Sequence, residues 1–222
     1  MAKHRNLEEQ AYQHIRRAII ARRWQPGSRL SEPQIADELG ISRTPIRNAM
    51  RRLAADGMVA LNANLGAQVM QPSQELVRDT YFMREILEPE AIALACRHIR
   101  PSDTVRLDEL RAEEVEAFRA RDLERYMAVN DAFHGLIASL SGNAVLEEAV
   151  KKYLTMTNVF LSLLDPFYTI GPDEMDSFRE HGEIVRHLAR GDGASARAAM
   201  AIHIRSSRSC LRLTRIANER EG

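Results

Sequence analysis

Between Ser31 and Gly57 the chain fits two short helices into a stretch that leaves only four residues for the turn joining them. Ser31 can cap the first, whose helical pattern runs through Leu39, and Gly40 stops it. Ser42 can cap the second, Pro45 is tolerated in its first turn, and Gly57 closes it after about Asp56. The turn itself reads Leu39-Gly40-Ile41-Ser42. Gly40 supplies the positive φ that so tight a connection between crossed helices often requires.

What flanks this pair narrows the fold further. Residues 7–24 read as a helix, with Leu7, Ala11, Ile15, Ala18 and Ile19 at helical spacing and Pro26-Gly27 after it. On the other side, Met58 to Leu61 and Ala67 to Met70 are short and β-compatible, with Asn62, Asn64 and Gly66 between them. They predict a small hairpin. Helix, helix, tight turn, helix, hairpin is the order of a winged helix-turn-helix. In the third helix Ile46, Met50 and Leu53 define the core face, so Arg43, Thr44, Arg47, Asn48 and Arg51 point elsewhere. Arginine can bond guanine O6 and N7 in a fork or pair with phosphate, asparagine can read adenine, and threonine can contact either. An ordinary solvated amphipathic helix with several arginines would look the same, and both readings stay open on the helix alone.

Charge is distributed unevenly. Residues 1–66 carry 11 Lys+Arg against 6 Asp+Glu, whereas the remaining 156 carry 20 against 25. A basic first third on an acidic body fits a nucleic-acid-facing module joined to something that does not touch DNA. Pro72-Ser73 marks the boundary, which predicts a DNA-binding domain over 1–71 and an all-helical effector-binding and dimerisation domain over 72–222. In the latter, helices are expected near 73–98 (kinked at Pro89), 102–121, 122–140, 143–164, 173–190 and 193–218. The fold class is therefore mainly α. No apolar run approaches the roughly 20 residues of a membrane span, and the start MAKHRNLEEQ has no apolar stretch of the signal-peptide kind. With Cys96 and Cys210 in helical patterns without partner motifs, a cytoplasmic protein with reduced thiols is the expectation.

Three of the seven histidines lie on apolar stripes of separate helices: His134 with Phe133 and Ile137, His181 with Phe178 and Val185, His203 with Ala199 and Met200. A buried imidazole costs free energy unless its nitrogens find partners. Three in one domain invite a shared divalent cation, and Asn130, four residues before His134, could add an oxygen ligand. Three core histidines each bonded to a backbone carbonyl would fit the pattern as well, and periodicity alone favours that reading. His4, His14, His98 and His187 fit exposed or terminal positions.

The run from Ile35 to Met50, with Arg52-Leu53, Asp56-Gly57-Met58-Val59 and Gly66-Ala67-Gln68-Val69, resembles the signature of GntR-family transcriptional regulators. That resemblance implies a third helix in the major groove and a wing tip at the minor groove. Carried over by position, Ser42, Arg43, Thr44 and Arg47 match DNA-contacting residues and Gly66 matches the wing glycine. Pro33 stands where some members have a DNA-contacting arginine, and the tip Asn62-Ala63-Asn64-Leu65 lacks a basic residue. Residues 73 to about 215 resemble the FadR-type ligand-binding domain called FCD, through Arg84 to Glu88, Phe133-His134, Ser141-Gly142-Asn143, Glu180-His181 and His203. Many members hold a metal with an acidic residue and three histidines. His134, His181 and His203 match the histidines, and Asn130 stands in the acidic place. The resemblance implies a divalent metal (zinc or nickel first), a homodimer, double-stranded operator DNA and a small carboxylate effector. Arg84 could grip that carboxylate or bridge to Glu88 four residues on; both are expected equally. With neutral Asn130 and three imidazoles, a bound divalent cation is expected to keep a charge of +2. The rival reading, a metal-dependent enzyme with an accessory DNA-binding module, lacks a general base near the histidines: no H-E-x-x-H or Ser-His-Asp spacing occurs, and no paired carboxylates are expected beside them.

Overall fold

The computed structural model describes residues 2–62, 66–164, 171 and 175–211, with side chains from Leu7 onward. The expected wing tip at 63–65 and the end of the expected last helix beyond 211 lie outside the described residues. The chain divides into two compact units, Met1–Pro72 and Ser73–Gly222.

The first unit runs α1 (Ala2–Ile20), β1 (Arg29–Leu30), α2 (Glu32–Leu39), α3 (Arg43–Ala55), β2 (Val59–Asn62) and β3 (Gly66–Val69). Ser31 caps α2, its hydroxyl accepting from the Gln34 N–H. Gly40 takes φ +63 after α2, and the Ile41 N–H reaches back to the Ala36 carbonyl, a closure that needs the left-handed residue. α1 ends earlier than Pro26 suggests: Arg22 turns at φ +61 and the Arg23 N–H closes onto Ala18. Ile46, Ala49, Met50 and Leu53 of α3 are buried as their spacing requires. The hairpin gains a third strand, in the order β1-β3-β2, with Arg29 opposite Gln68 and Leu30 opposite Ala67. Two residues are too few for strand periodicity to reveal β1 beforehand.

The second unit is helical throughout its described residues: α4 (Gln74–Ala95), α5 (Pro101–Arg119), α6 (Leu123–Leu140), α7 (Ala144–Leu164), α8 (Asp176–Ala189) and α9 (Gly193–Cys210). Ser73, Asp122 and Asp192 cap α4, α6 and α9 through bonds to backbone N–H groups three residues on, each such cap worth about 1 kcal/mol. α4 runs through Pro89 without ending. It packs on α6, α7 and α9, while α5 packs on α6 and α8, and α8 on α9. The core between them holds Tyr81, Phe118, Phe133 and Phe160. No helix among the described residues is long and apolar enough to cross a membrane.

Candidate metal centre and nucleic-acid interface

The three histidines singled out by their stripes meet. His134 on α6, His181 on α8 and His203 on α9 are buried, and one ring nitrogen from each lies within 4.8 Å of the others. Nitrogens held tetrahedrally by one cation at about 2.1 Å stand about 3.4 Å apart, so side-chain adjustments of about an ångström would bring the three onto one ion.

Each histidine also meets a carboxylate through its Nδ1. Glu88 of α4 lies 2.6 Å from His134, Glu114 of α5 2.8 Å from His181, and Glu180 of α8 3.0 Å from His203. The Glu88 approach is off the line of the ring N–H, so it is a close polar contact rather than a well-aligned bond. Glu88 in turn accepts from Arg84 Nε at 2.5 Å, and Arg84 Nη1 donates to Thr157 of α7 at 3.0 Å. Six helices thus contribute to one buried polar network. No paired carboxylates are expected beside the histidines, and the structure instead sets one carboxylate against the Nδ1 of each. Glu88, Glu114 and Glu180 come from three helices, and only the adjacency of Glu180 to His181 was available as a signal in the sequence.

Protonation follows from this arrangement. Burial pushes His134 below the ordinary histidine range despite the nearby Glu88 carboxylate. Burial, with the neighbouring His181 and His134 rings and Arg84, pushes His203 well below it. Burial alone would raise Glu88, but Arg84 and His134 outweigh it and hold the carboxyl at about 2. An imidazole whose Nδ1–H donates to a carboxylate would present Nε2 as a lone pair. His181 Nε2 and His203 Nε2 face each other at 3.2 Å, and His134 Nε2 is buried with no hydrogen-bond partner among the described residues. A proton on either the His181 or the His203 Nε2 makes their contact a hydrogen bond, and with both protons on Nδ1 a shared cation would accept the lone pairs instead. The donor set fits a divalent metal. The reckoning that left such an ion at +2 is also revised, because three carboxylates and one guanidinium adjoin the imidazoles.

A cavity of about 50 Å³ opens beside the cluster, lined among others by Tyr81, Arg84, Asn130, Glu180, His203 and Ser206. It brings Asn130 and Arg84 to the same wall system as His203. Arg84 is 2% exposed, and its Nη2 has no hydrogen-bond partner among the described residues. The expected alternative, the Arg84–Glu88 bridge, is present, and it leaves part of the guanidinium unsatisfied.

In the first unit, Ser42, Arg43, Thr44, Arg47 and Arg51 are exposed on α3. Ser42 stands at the N-cap without a side-chain cap bond, which leaves backbone N–H groups at that helix start open to an anion. Asn48 is turned toward α1, donating to Glu8 at 3.3 Å. Gly66 opens β3 at φ +75. Arg47 is gripped by Glu32 of α2 in a fork, Nε to Oε1 at 3.1 Å and Nη2 to Oε2 at 2.8 Å.

Residues 7–69 match the model of bacterial regulatory proteins of the gntR family, and residues 79–206 match that of the FCD domain. The chain is 25% identical over 213 residues to the HTH-type transcriptional repressor RspR of Escherichia coli, covering 96% of this chain and 92% of that one. It is 29% identical over 200 residues to a transcriptional regulator of Streptomyces ambofaciens, covering 88% and 80%. Among solved structures, E. coli McbR/YncC shares the fold at a TM-score of 0.70 and 23% identity, over 96% of this chain and 99% of that one.

Proposed function

The chain belongs to the GntR family of bacterial regulatory proteins and carries an FCD domain, and from that premise we propose how its two units divide the work of a DNA-binding transcriptional regulator. The rival reading as a metal-dependent enzyme gives way to membership of a regulator family. The first unit reads operator DNA through Ser42, Arg43, Thr44 and Arg47, with the wing that Gly66 opens resting on the minor groove. Asn48, held by Glu8, ties α3 to α1 rather than reading a base.

The second unit binds a divalent cation, zinc or nickel, through His134, His181 and His203. The observation that carries this reading is the convergence of three buried imidazoles from α6, α8 and α9, with one ring nitrogen of each within 4.8 Å of the others. Asn130 lines the adjoining cavity and supplies a neutral oxygen where a carboxylate would bind more strongly. A bound cation would act as a Lewis acid toward an oxygen ligand reaching it from that cavity. Arg84 Nη2, buried and lacking an acceptor among the described residues, suits the carboxylate of a small effector. Effector binding would bias the DNA-binding units of a homodimer, with coupling of about 1–3 kcal/mol. Support for a dimer comes from α4, where Phe82 (57% exposed) and Ile86 (45% exposed) share a face one turn apart.

The experiment is a thermal-shift screen of the full chain against small carboxylates and sugar acids, with and without zinc or nickel. A bound effector raises the melting temperature by mass action, and the reading predicts larger shifts with metal present. Shifts from carboxylates that are the same with and without metal, and the same in Arg84→Lys, would overturn it.

A further inference from the structure

The fork between Glu32 and Arg47 lies on the surface that α3 would present to DNA, and it is chemically odd there. A carboxylate close to a phosphate backbone is repelled by it, and a DNA-facing helix gains affinity by losing such a group. Yet Glu32 occupies the first turn of α2, with Arg43, Arg47 and Arg51 of α3 all acting electrostatically on it. Those three arginines stand at successive four-residue intervals and form one basic stripe.

The bond geometry says what the carboxylate does. A guanidinium has five N–H donors in one plane. Glu32 takes the edge made by Nε and one N–H of Nη2, and Arg47 makes no other hydrogen bond or ion pair among the described residues. Three donors remain, two on Nη1 and one on Nη2. These form the far end of the fork, whose parallel N–H groups match two adjacent acceptors on one rigid edge, such as guanine O6 and N7. An unheld arginine could swing its Nε edge or a single nitrogen onto any phosphate oxygen. A held one is pre-set in one plane and one direction, and part of its charge is already answered.

We propose that Glu32 is a positioning residue for base readout: it holds the Nε edge of Arg47 so that the far end addresses a base edge and not the phosphates, giving up affinity for DNA in general to gain discrimination. This rests on α3 being the reading helix. Glu32 keeps Arg47 from acting as a generic cation, so sequence preference at one position of each half-site depends on a residue that touches no DNA.

The test uses the full chain, loaded with whatever metal it carries as purified, and a random-sequence duplex library, since selection needs no known operator. Wild type, Glu32→Gln, Arg47→Ala and the double variant are each put through rounds of selection and sequencing. Binding to the selected duplex and to a scrambled duplex is then measured across a salt series. Glu32→Gln keeps the size of the side chain and removes its charge. The expected result is a loss on the order of tenfold in the ratio of selected to scrambled affinity, tighter binding to scrambled duplex, and a salt slope steeper by up to about one. Information should be lost at one position per half-site, and the same position should be lost in Arg47→Ala. In the Arg47→Ala background, Glu32→Gln should change discrimination no further. A merely structural role for Glu32 would instead lower the melting temperature and weaken both duplexes alike, which overturns the proposal. So does an unchanged preference in Glu32→Gln while Arg47→Ala loses it. If neither Arg47→Ala nor Glu32→Gln alters the selected sequence, the reading of α3 itself fails.

Discussion

His181 Nε2 and His203 Nε2 stand 3.2 Å apart, each with its Nδ1 committed to a carboxylate, Glu114 for one and Glu180 for the other. An ionised carboxylate at each Nδ1 favours the proton there, which would aim the Nε2 lone pairs inward. This is the outer shell that orients imidazoles on a metal, formed by the protein alone.

Acid should weaken the metal-free protein in a defined window. His134 and His203 have folded-state values pushed below the ordinary 6.5. Between 6.5 and those lower values the unfolded chain binds more protons than the folded one, so stability rises with pH. It is fully present above about pH 6.5 and drains away as pH falls below it. Thermal melts of chelator-treated protein from pH 7.5 to 5.5 should show a falling midpoint, with a shallower fall in His203→Gln. A flat profile in both would contradict the neutral, buried imidazoles.

Arg84→Ala leaves Glu88 buried beside His134 without its guanidinium. Removing one partner of a buried pair costs about 3–5 kcal/mol. For a unit of this size that is a drop of roughly 6–20 °C in melting temperature, at roughly 2–4 °C per kcal/mol. Calorimetric melts would check it. A loss below 1 kcal/mol would mean that the Arg84–Glu88 pair contributes little.

Much of this network was hidden in the sequence for a physical reason. The 3.6-residue period places His134, His181 and His203 on inward faces, because each helix shows its own buried stripe locally. It says nothing about which carboxylates from other helices will lie opposite. Glu88 and Glu114 look like any helical glutamates until α4 and α5 are docked against α6 and α8. The same limit explains Glu32, whose bond to Arg47 depends on the crossing of α2 and α3. The crossing itself was legible, through Gly40 and the caps at Ser31 and Ser42. The two-residue strand β1 was not, because it exists only by pairing with β3.

Asn130→Asp should tighten metal binding by about tenfold, roughly 1.4 kcal/mol, because a charged oxygen would replace a neutral one at the cavity wall. It should also lessen any dependence of effector binding on added metal, and that coupling must be reciprocal. Competition titration with a chromogenic chelator measures the first effect. An unchanged affinity would place Asn130 outside the ligand set.

If the proposed dimer forms through α4, a charge on its exposed face should break it. Phe82→Asp is expected to shift the full chain toward its monomer mass of 25.1 kDa in light scattering, where the wild type gives twice that. A wild-type monomer at micromolar concentration, with and without selected DNA, would end the dimer proposal. A Phe82→Asp dimer would move the interface elsewhere.

The buried cation site is the claim on which the account of sensing depends, and calorimetric titration of zinc or nickel into chelator-treated full chain tests it most directly. One divalent cation per chain is expected, with binding weakened at least tenfold in His134→Ala and in His203→Ala while both variants still melt cooperatively. Wild type that takes up no metal, or histidine variants that bind it as wild type does, would contradict the account and leave the three rings as core residues.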